Sequence, residues 1–462
     1  MFNEFYDRMF NPTQKPNPIA PPDFSTQITT KYQGSNPALH SMYVDEPPLL
    51  ATEAFSHIND LVWSTLSGSS TAMELNGAIG PHAEWGMRFD QQYGKSATDN
   101  EYKRKYLLYN VYPFRQEVDT TQSDVQSALE ELVNYRFIGD DATEHSYQYL
   151  GLRPAIRGAK KFDTQLNNDI SLIYILQVHA EHKVFLSGGT YHIDQLAGSM
   201  RRAPTRDEIF VQGNMALAYG AKGFMIYMTP TWNAEPGSND TVWNTFGIFD
   251  EFQNPYLGID GEGLVQIPCN AQVPNYRYYA TEALIDDTRK IENKILGLNW
   301  LDAISWHSAE DYTIDWISEV YTQYPGTSYT ADIDKYVEIG YFNELNPPAG
   351  KLVDPKYIYL VNRRCNIQEP DLDDLTTDNS DRNISFRLNM DTTFRNYTVS
   401  DLKSDSVYYT TNDGWVTIFL KAGHGTLLKI EPTVQTGGTL VANETIKTGI
   451  YFVDTTLIVD SV

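Results

Sequence analysis

Asp45 and Glu46 are neighbouring carboxylates, set between Ser41-Met-Tyr-Val44 and Pro47. Like charges this close raise the pKa of one of them, which suits a proton donor at neutral pH. The plainer reading of Asp45-Glu46-Pro47 is a capped strand end meeting a helix. Two more carboxylates are placed for chemistry. Glu181 follows an apolar run, four residues after Gln177, where it reads either as a reacting group or as a solvated loop charge. Glu74 falls two residues before Asn76 and so on the same face of a strand. Asn110, Tyr112, Gln177, His179, Tyr227 and Trp232 stand at or just past strand ends, where side chains either bind a ligand or pack. His82, Trp85 and Arg88, in a loop, could line the same cleft. His179 and His182, three apart in an expected loop, make a poor metal pair. No metal and no cofactor is expected.

Positioning such groups needs strands that end together. Short apolar runs alternate with amphipathic stretches from Met42 onward. The runs are Ser41–Val44, Thr71–Ile79, Tyr106–Tyr112, Ile170–Val178 and Gly223–Met228. Ile170–Val178 has no polar alternation, as in a strand buried on both faces. Helical spacing appears at Phe55, Ile58 and Val62, and again from Val125 to Val133. Thr205-Arg-Asp-Glu208 is a capping box that opens a helix ending near Gly220. A long loop from Thr229 to about Pro274 precedes a helix from about Asn275 to Leu296. Strands alternating with helices predict an α/β fold with a parallel sheet. After residue 300 the pattern turns to β, with strands at Tyr357–Val361, Ile384–Leu388, Trp415–Leu420 and Leu427–Ile430, as in an antiparallel β-sandwich.

The whole chain has 462 residues and a net charge of −25, which argues against nucleic acid or an anionic membrane surface as partner. No run of 18 apolar residues exists, so membrane insertion is not expected. Cys269 and Cys365 are too few and too far apart for a zinc pattern or a disulfide framework. Aromatics make up 13%, a surplus that suits β packing and also surfaces that stack on sugar rings.

Three segments carry a family resemblance. Tyr43-Val-Asp-Glu-Pro47 resembles the "DEP" strand end of bacterial secreted glycoside-hydrolase-like (β/α)8 barrels of the β-galactosidase-related clan. Tyr109-Asn-Val-Tyr-Pro-Phe114 is similar to their "YDYYPF" strand end. Arg202-Ala-Pro-Thr205 through Ala218-Tyr-Gly-Ala-Lys-Gly223 resembles their "RAPT…AYGAKG" segment, and Ser385–Ile430 looks like the small β-domain that follows. The resemblance covers about residues 38 to 432 and rests on order and spacing. It implies a TIM-type barrel whose five recognisable strands are strands four to eight, with active groups at the strand ends. Glu46 then matches the general acid/base, and a carbohydrate is the partner. Asp45 stands where Asn is common, and Asn110 replaces an Asp. Gln177 occupies the nucleophile's place, so the second carboxyl falls to Glu181, or to Glu74 as an alternative. Glycoside hydrolysis needs that second group at about 5 to 9.5 Å from the first.

The expected organisation is a Pro-rich polar lead-in (1–40), a partial barrel (41–300), a β-sandwich (301–432) and the start of a truncated β-repeat or tail (433–462). Residues 1–40 cannot hold three βα units of roughly 30 residues each. The first barrel strands are therefore expected to be lost from this chain or supplied by another. An extracellular or cell-surface location is expected, although no signal peptide opens the chain. Three functions fit: a hydrolase of a poly- or oligosaccharide, an inactive carbohydrate-binding barrel, or a structural module of a larger surface protein. A half-barrel leaves strand edges unpaired. The chain alone should therefore be poorly soluble or associate with itself, and light scattering that finds a monodisperse monomer would contradict this.

Overall fold

The structure is a computed structural model. It describes residues 41–44, 70–76, 106–110, 112, 114, 171–187, 190–193, 199–201, 203–227, 241–248 and 276–306, and most of 314–432. The chain divides into two compact units, one of residues 1–110 and 154–173, the other of 111–153 and 174–462.

In the first unit β1 (Ser41–Val44), β2 (Ser70–Asn76) and β3 (Tyr106–Asn110) pair in parallel, β2 in the middle. These are the first three expected strands. The helices expected around Phe55 and Val125 lie outside the described residues. The register sets Asn76 opposite Asn110 at the C-terminal ends of β2 and β3, with Glu74 opposite Leu108.

β4 (Ser171–Gln177) runs into the second unit, where β8 (Gly223–Tyr227) lies beside it. β4 is buried along most of its length, as its unbroken apolar run requires. The chain then departs from expectation. Instead of a loop, β5 (Ala180–Ser187) starts two residues after β4. It pairs antiparallel with β6 (Thr190–Ile193), β7 (Ser199–Arg201) and β9 (Thr241–Phe246). β9 likewise falls inside the expected long loop. Among the described residues the strands do not close into a barrel.

α1 (Arg206–Ala218) begins at the expected capping box, with the Thr205 hydroxyl accepting from the Glu208 amide and the Glu208 carboxylate accepting from the Thr205 amide. Every residue from Glu208 to Ala218 is buried. The expected helix near 275–296 is two: α2 (Tyr276–Arg289) and α3 (Glu292–Leu296), the second closed by Gly297. Lys222 donates at 2.5 Å to both Ile295 and Leu298 carbonyls, which supplies donors to the end of α3. Among the described residues no helix is long and apolar enough to cross a membrane.

The antiparallel β-sandwich is present. One sheet holds β10 (Leu298–Ser305), β12 (Val337–Glu344), β13 (Lys356–Asn362), β18 (Gly425–Pro432), β15 (Tyr397–Asp401) and β16 (Val407–Tyr409), in that order. The other holds β11 (Ile317–Gln323), β14 (Arg382–Leu388) and β17 (Trp415–Leu420). β14 alternates buried and half-buried residues, the signature of a sheet with one wet face. Ile384, Phe386 and Ile418 from the small sheet pack against Ile339, Leu360 and Leu428 from the large one.

The other face of the large sheet carries α1, so β12 and β13 are buried on both sides. Gly340 lets β12 meet the helix end, since a Cβ there would strike the Ala218 carbonyl. That carbonyl accepts from Trp300 Nε1 at 2.9 Å. Beside it the Arg363 guanidinium pairs with Glu338 at 2.7 Å, both side chains wholly buried, and the Tyr219 hydroxyl donates to the second Glu338 oxygen at 2.8 Å. Removing one partner of such a pair strands the other charge. Arg363→Met should lower unfolding free energy by about 3–5 kcal/mol in urea titration. A loss below about 1 kcal/mol would show that Glu338 does not depend on Arg363.

Candidate functional site

Of the expected site residues, the second unit gathers Tyr112, Gln177, His179, Glu181 and Tyr227 around the corner between β4 and β5. Asp45, Glu46 and Trp232 lie outside the described residues, as do His82, Trp85 and Arg88. Glu74, Asn76 and Asn110 are placed by their strands alone.

The corner is Val178-His179, and its geometry is fixed by backbone carbonyls. Val178 N–H donates to the Tyr227 carbonyl at 3.0 Å. His179 Nδ1 lies 2.9 Å from that same oxygen. A carbonyl only accepts, so Nδ1 carries the proton and Nε2 is the ring's second nitrogen. Arg277, buried in the first turn of α2, donates to the carbonyls of Val178 (2.9 Å), Phe246 (3.2 Å) and Gly247 (3.2 Å). One guanidinium fork thus ties the corner to the end of β9.

His179 is fully buried and meets two tyrosine rings edge-on, Tyr112 at 5.0 Å and Tyr227 at 4.9 Å between centroids. The two tyrosines stack at 5.3 Å. Tyr112 is buried, while Tyr227 keeps 36% of its surface exposed and gives the cluster its solvent face.

Two residues beyond His179, on the same side of the strand, Glu181 sits 3.6 Å from Nε2. It is 9% exposed, not a solvated loop charge, because β5 is paired on both edges there, opposite Arg201 on β7 and Thr245 on β9. With Nδ1 already protonated, a neutral ring would turn its lone pair toward the carboxylate. At this separation the two groups attract each other only when the ring is protonated.

Gln177 has another task. Its Oε1 accepts from the Phe114 amide at 3.0 Å, and its Nε2 donates to the Phe114 carbonyl at 3.2 Å. Its own backbone is held by Gln212 of α1, whose Oε1 accepts from Gln177 N–H at 2.9 Å and whose Nε2 donates to the Gln177 carbonyl at 3.1 Å. Two glutamines thus clamp two backbones in series and hold the Tyr112 segment against β4. Gln212 and Arg277 were missed in the sequence. Gln212 could have been noticed as an amide inside an otherwise apolar helical stretch, and Arg277 had no signal.

No protein family matches the sequence, and no curated protein does. Solved structures that resemble the chain are glycosidases, at low identity. A candidate alpha-galactosidase from Bacteroides fragilis NCTC 9343 is 10% identical, over 84% of this chain and 52% of that one, with a TM-score of 0.33. A candidate alpha-N-acetylgalactosaminidase from Bacillus halodurans C-125 is 9% identical, over 82% and 78%, with a TM-score of 0.26. A maltogenic alpha-amylase from Thermotoga neapolitana is 7% identical, over 82% and 65%, with a TM-score of 0.28. The chain thus spans about half the length of the first of these proteins. Superpositions this loose bear on neither the mechanism nor the site, which rest on the residues themselves.

A carboxylate at position 177 could not donate to the Phe114 carbonyl. Gln177→Glu should therefore cost about 2–4 kcal/mol of stability and gain no glycosidase activity. A stable, more active Gln177→Glu protein would show that the clamp is dispensable and that a nucleophile belongs there.

Proposed function

We propose that the chain is a glycoside-hydrolase-like protein acting on the O-glycosyl bonds of a poly- or oligosaccharide. In this reading its strands β1 to β4 and β8 belong to an incomplete (β/α)8 barrel, and Glu46 is the general acid/base. Glu181 is the second carboxyl, Tyr112, Tyr227 and Trp232 are sugar-stacking groups, and Glu74, Asn76 and Asn110 are polar contacts at the strand ends. Gln177 and His179 position the rest. The setting is extracellular or on a cell surface.

The observation that carries the reading is the Glu181–His179 pair set among tyrosine rings, one of them exposed. Hydrolysis would proceed with Glu46 protonating the leaving oxygen while the second carboxylate attacks the sugar carbon or deprotonates water. His179 can hold the proton that Glu181 gives up or takes. One fact favours a second reading, a binding barrel without turnover: Gln177, in the place the resemblance gives to a nucleophile, has its amide committed to Phe114.

The deciding experiment uses aryl glycosides with the full chain and two variants. Glu46→Gln and Glu181→Gln should each lower kcat about 10²- to 10⁴-fold with binding retained. Wild-type protein that binds polysaccharide but turns over no aryl glycoside would leave the binding barrel as the function. Activity unchanged in Glu46→Gln would remove Glu46 from the mechanism.

A further inference from the structure

The outer face of the small sheet has a composition that sandwich packing does not call for. Its register places Glu319, Arg387 and Trp415 in one row across β11, β14 and β17. The next row on that face is Tyr321, Ser385 and Thr417. Tyr321 stacks on Trp415 across the intervening strand, with centroids 5.2 Å apart and planes 29° apart. Tyr321 is 44% exposed, and Phe419, one row further along β17, is 47% exposed. Between the aromatics, the Ser385 and Thr417 hydroxyls lie 2.7 Å apart and exposed.

Glu319 and Arg387 pair on this face, and the Lys335 ammonium lies 5.8 Å from the Tyr321 ring centroid. Arg387 Nη1 donates to Glu319 at 2.9 Å and its Nε to the Asp413 carbonyl at 2.9 Å, while Tyr321 OH donates to the other Glu319 oxygen at 3.0 Å. What remains is a surface of exposed rings with hydroxyls between them and one cation, Lys335, beside Tyr321. Rings beside hydroxyl groups fit molecules with an apolar C–H face and a hydroxyl rim.

We infer that this face is a second, non-catalytic binding site for a neutral polysaccharide, separate from the cluster at the β4–β5 corner. A protein partner fits it poorly. Three strands at ~4.8 Å spacing and about four residues at ~3.3 Å span roughly 10 by 13 Å between Cα positions. That is far below the ~800 Å² a stable interface buries on each partner. A second copy of the chain would also bring another net charge of −25 against it. The inference does not depend on the hydrolase reading, because a chain without turnover could bind in the same way.

The test is native affinity electrophoresis of the full chain in gels containing galactomannan, xylan or mixed-linkage β-glucan, with polygalacturonate as the anionic comparison. The Glu46→Gln, Glu181→Gln background protects the gel from any hydrolysis. At least one neutral polysaccharide should retard the protein. Tyr321→Ala and Trp415→Ala should each weaken retardation about tenfold, Phe419→Ala less, and Tyr321→Phe little. Thermal midpoints show that each variant folds, and the exposed Phe419 decides if the first two do not. Retardation by none of the three neutral gels would overturn the inference. So would retardation by polygalacturonate alone, or retardation untouched by these variants. Loss of retardation on Tyr227→Ala with none on Tyr321→Ala would assign binding to the β4–β5 corner instead, also against it.

Discussion

A helix buried on every side has nowhere to hide a polar side chain, and α1 carries several. Buried amides and hydroxyls must find partners inside the protein, so each polar group of α1 fixes the element it reaches. Gln212 grips the backbone of Gln177 on β4. Asn214 donates to the Gly423 carbonyl and accepts from the Tyr359 hydroxyl. The carbonyl of Ala218 takes the Trp300 indole, and Tyr219 takes Glu338. Apolar packing alone would tolerate small slides of the helix against the sandwich. These directional bonds do not, and so the β4 end is held at a set height relative to the sandwich.

The same economy of partners is repeated at a charged group. Lys403 is buried between α1, α2 and the large sheet, where its ammonium meets Asp287 at 2.6 Å and the Gly425 carbonyl at 2.7 Å. Burial pushes this lysine's pKa down, and Asp287 and Asp401 only partly offset it. Burial also pushes the Asp287 carboxyl up, but Lys403 with Lys290 outweighs that and holds it below its ordinary value. A depressed carboxylate pKa adds stability above its unfolded value and loses it as pH falls through the folded one. The seam between α2 and the sandwich is therefore an acid-sensitive part of this unit.

Much of the framework was legible from periodicity. The five expected runs are all strands, and four expected sandwich strands are present within one to two residues. The capping box at Thr205 starts its helix where it should. The reading failed where a turn lacked its usual punctuation. β4 passes to β5 through Val178-His179, with neither glycine nor proline, so the end of an apolar run looked like the exit into a loop. That one miss placed Glu181 in a loop, as a reacting group or a solvated charge, rather than in a buried strand. β9 was hidden by its Asn-, Pro- and Gly-rich surroundings. Gln212 and Asn214 went unread, because no sequence pattern shows that a second layer covers their side of the helix. The site was therefore legible as a list of residue types at strand ends, while the pairing of His179 with Glu181 depended on a strand the pattern did not show.

The amide at position 177 ties these threads together. A carboxylate accepts hydrogen bonds but donates none while ionised. The Phe114 backbone presents one donor and one acceptor to this position, so only an amide satisfies both. Phe114 itself is buried, which makes either bond costly to leave unmade. The change from carboxylate to amide that the resemblance implies is thus more than a lost reactive group. It exchanges a charge at the end of β4 for a clamp on the segment that carries Tyr112, and it moves the available carboxylate two residues past the corner. There Glu181 lies 3.6 Å from His179 Nε2.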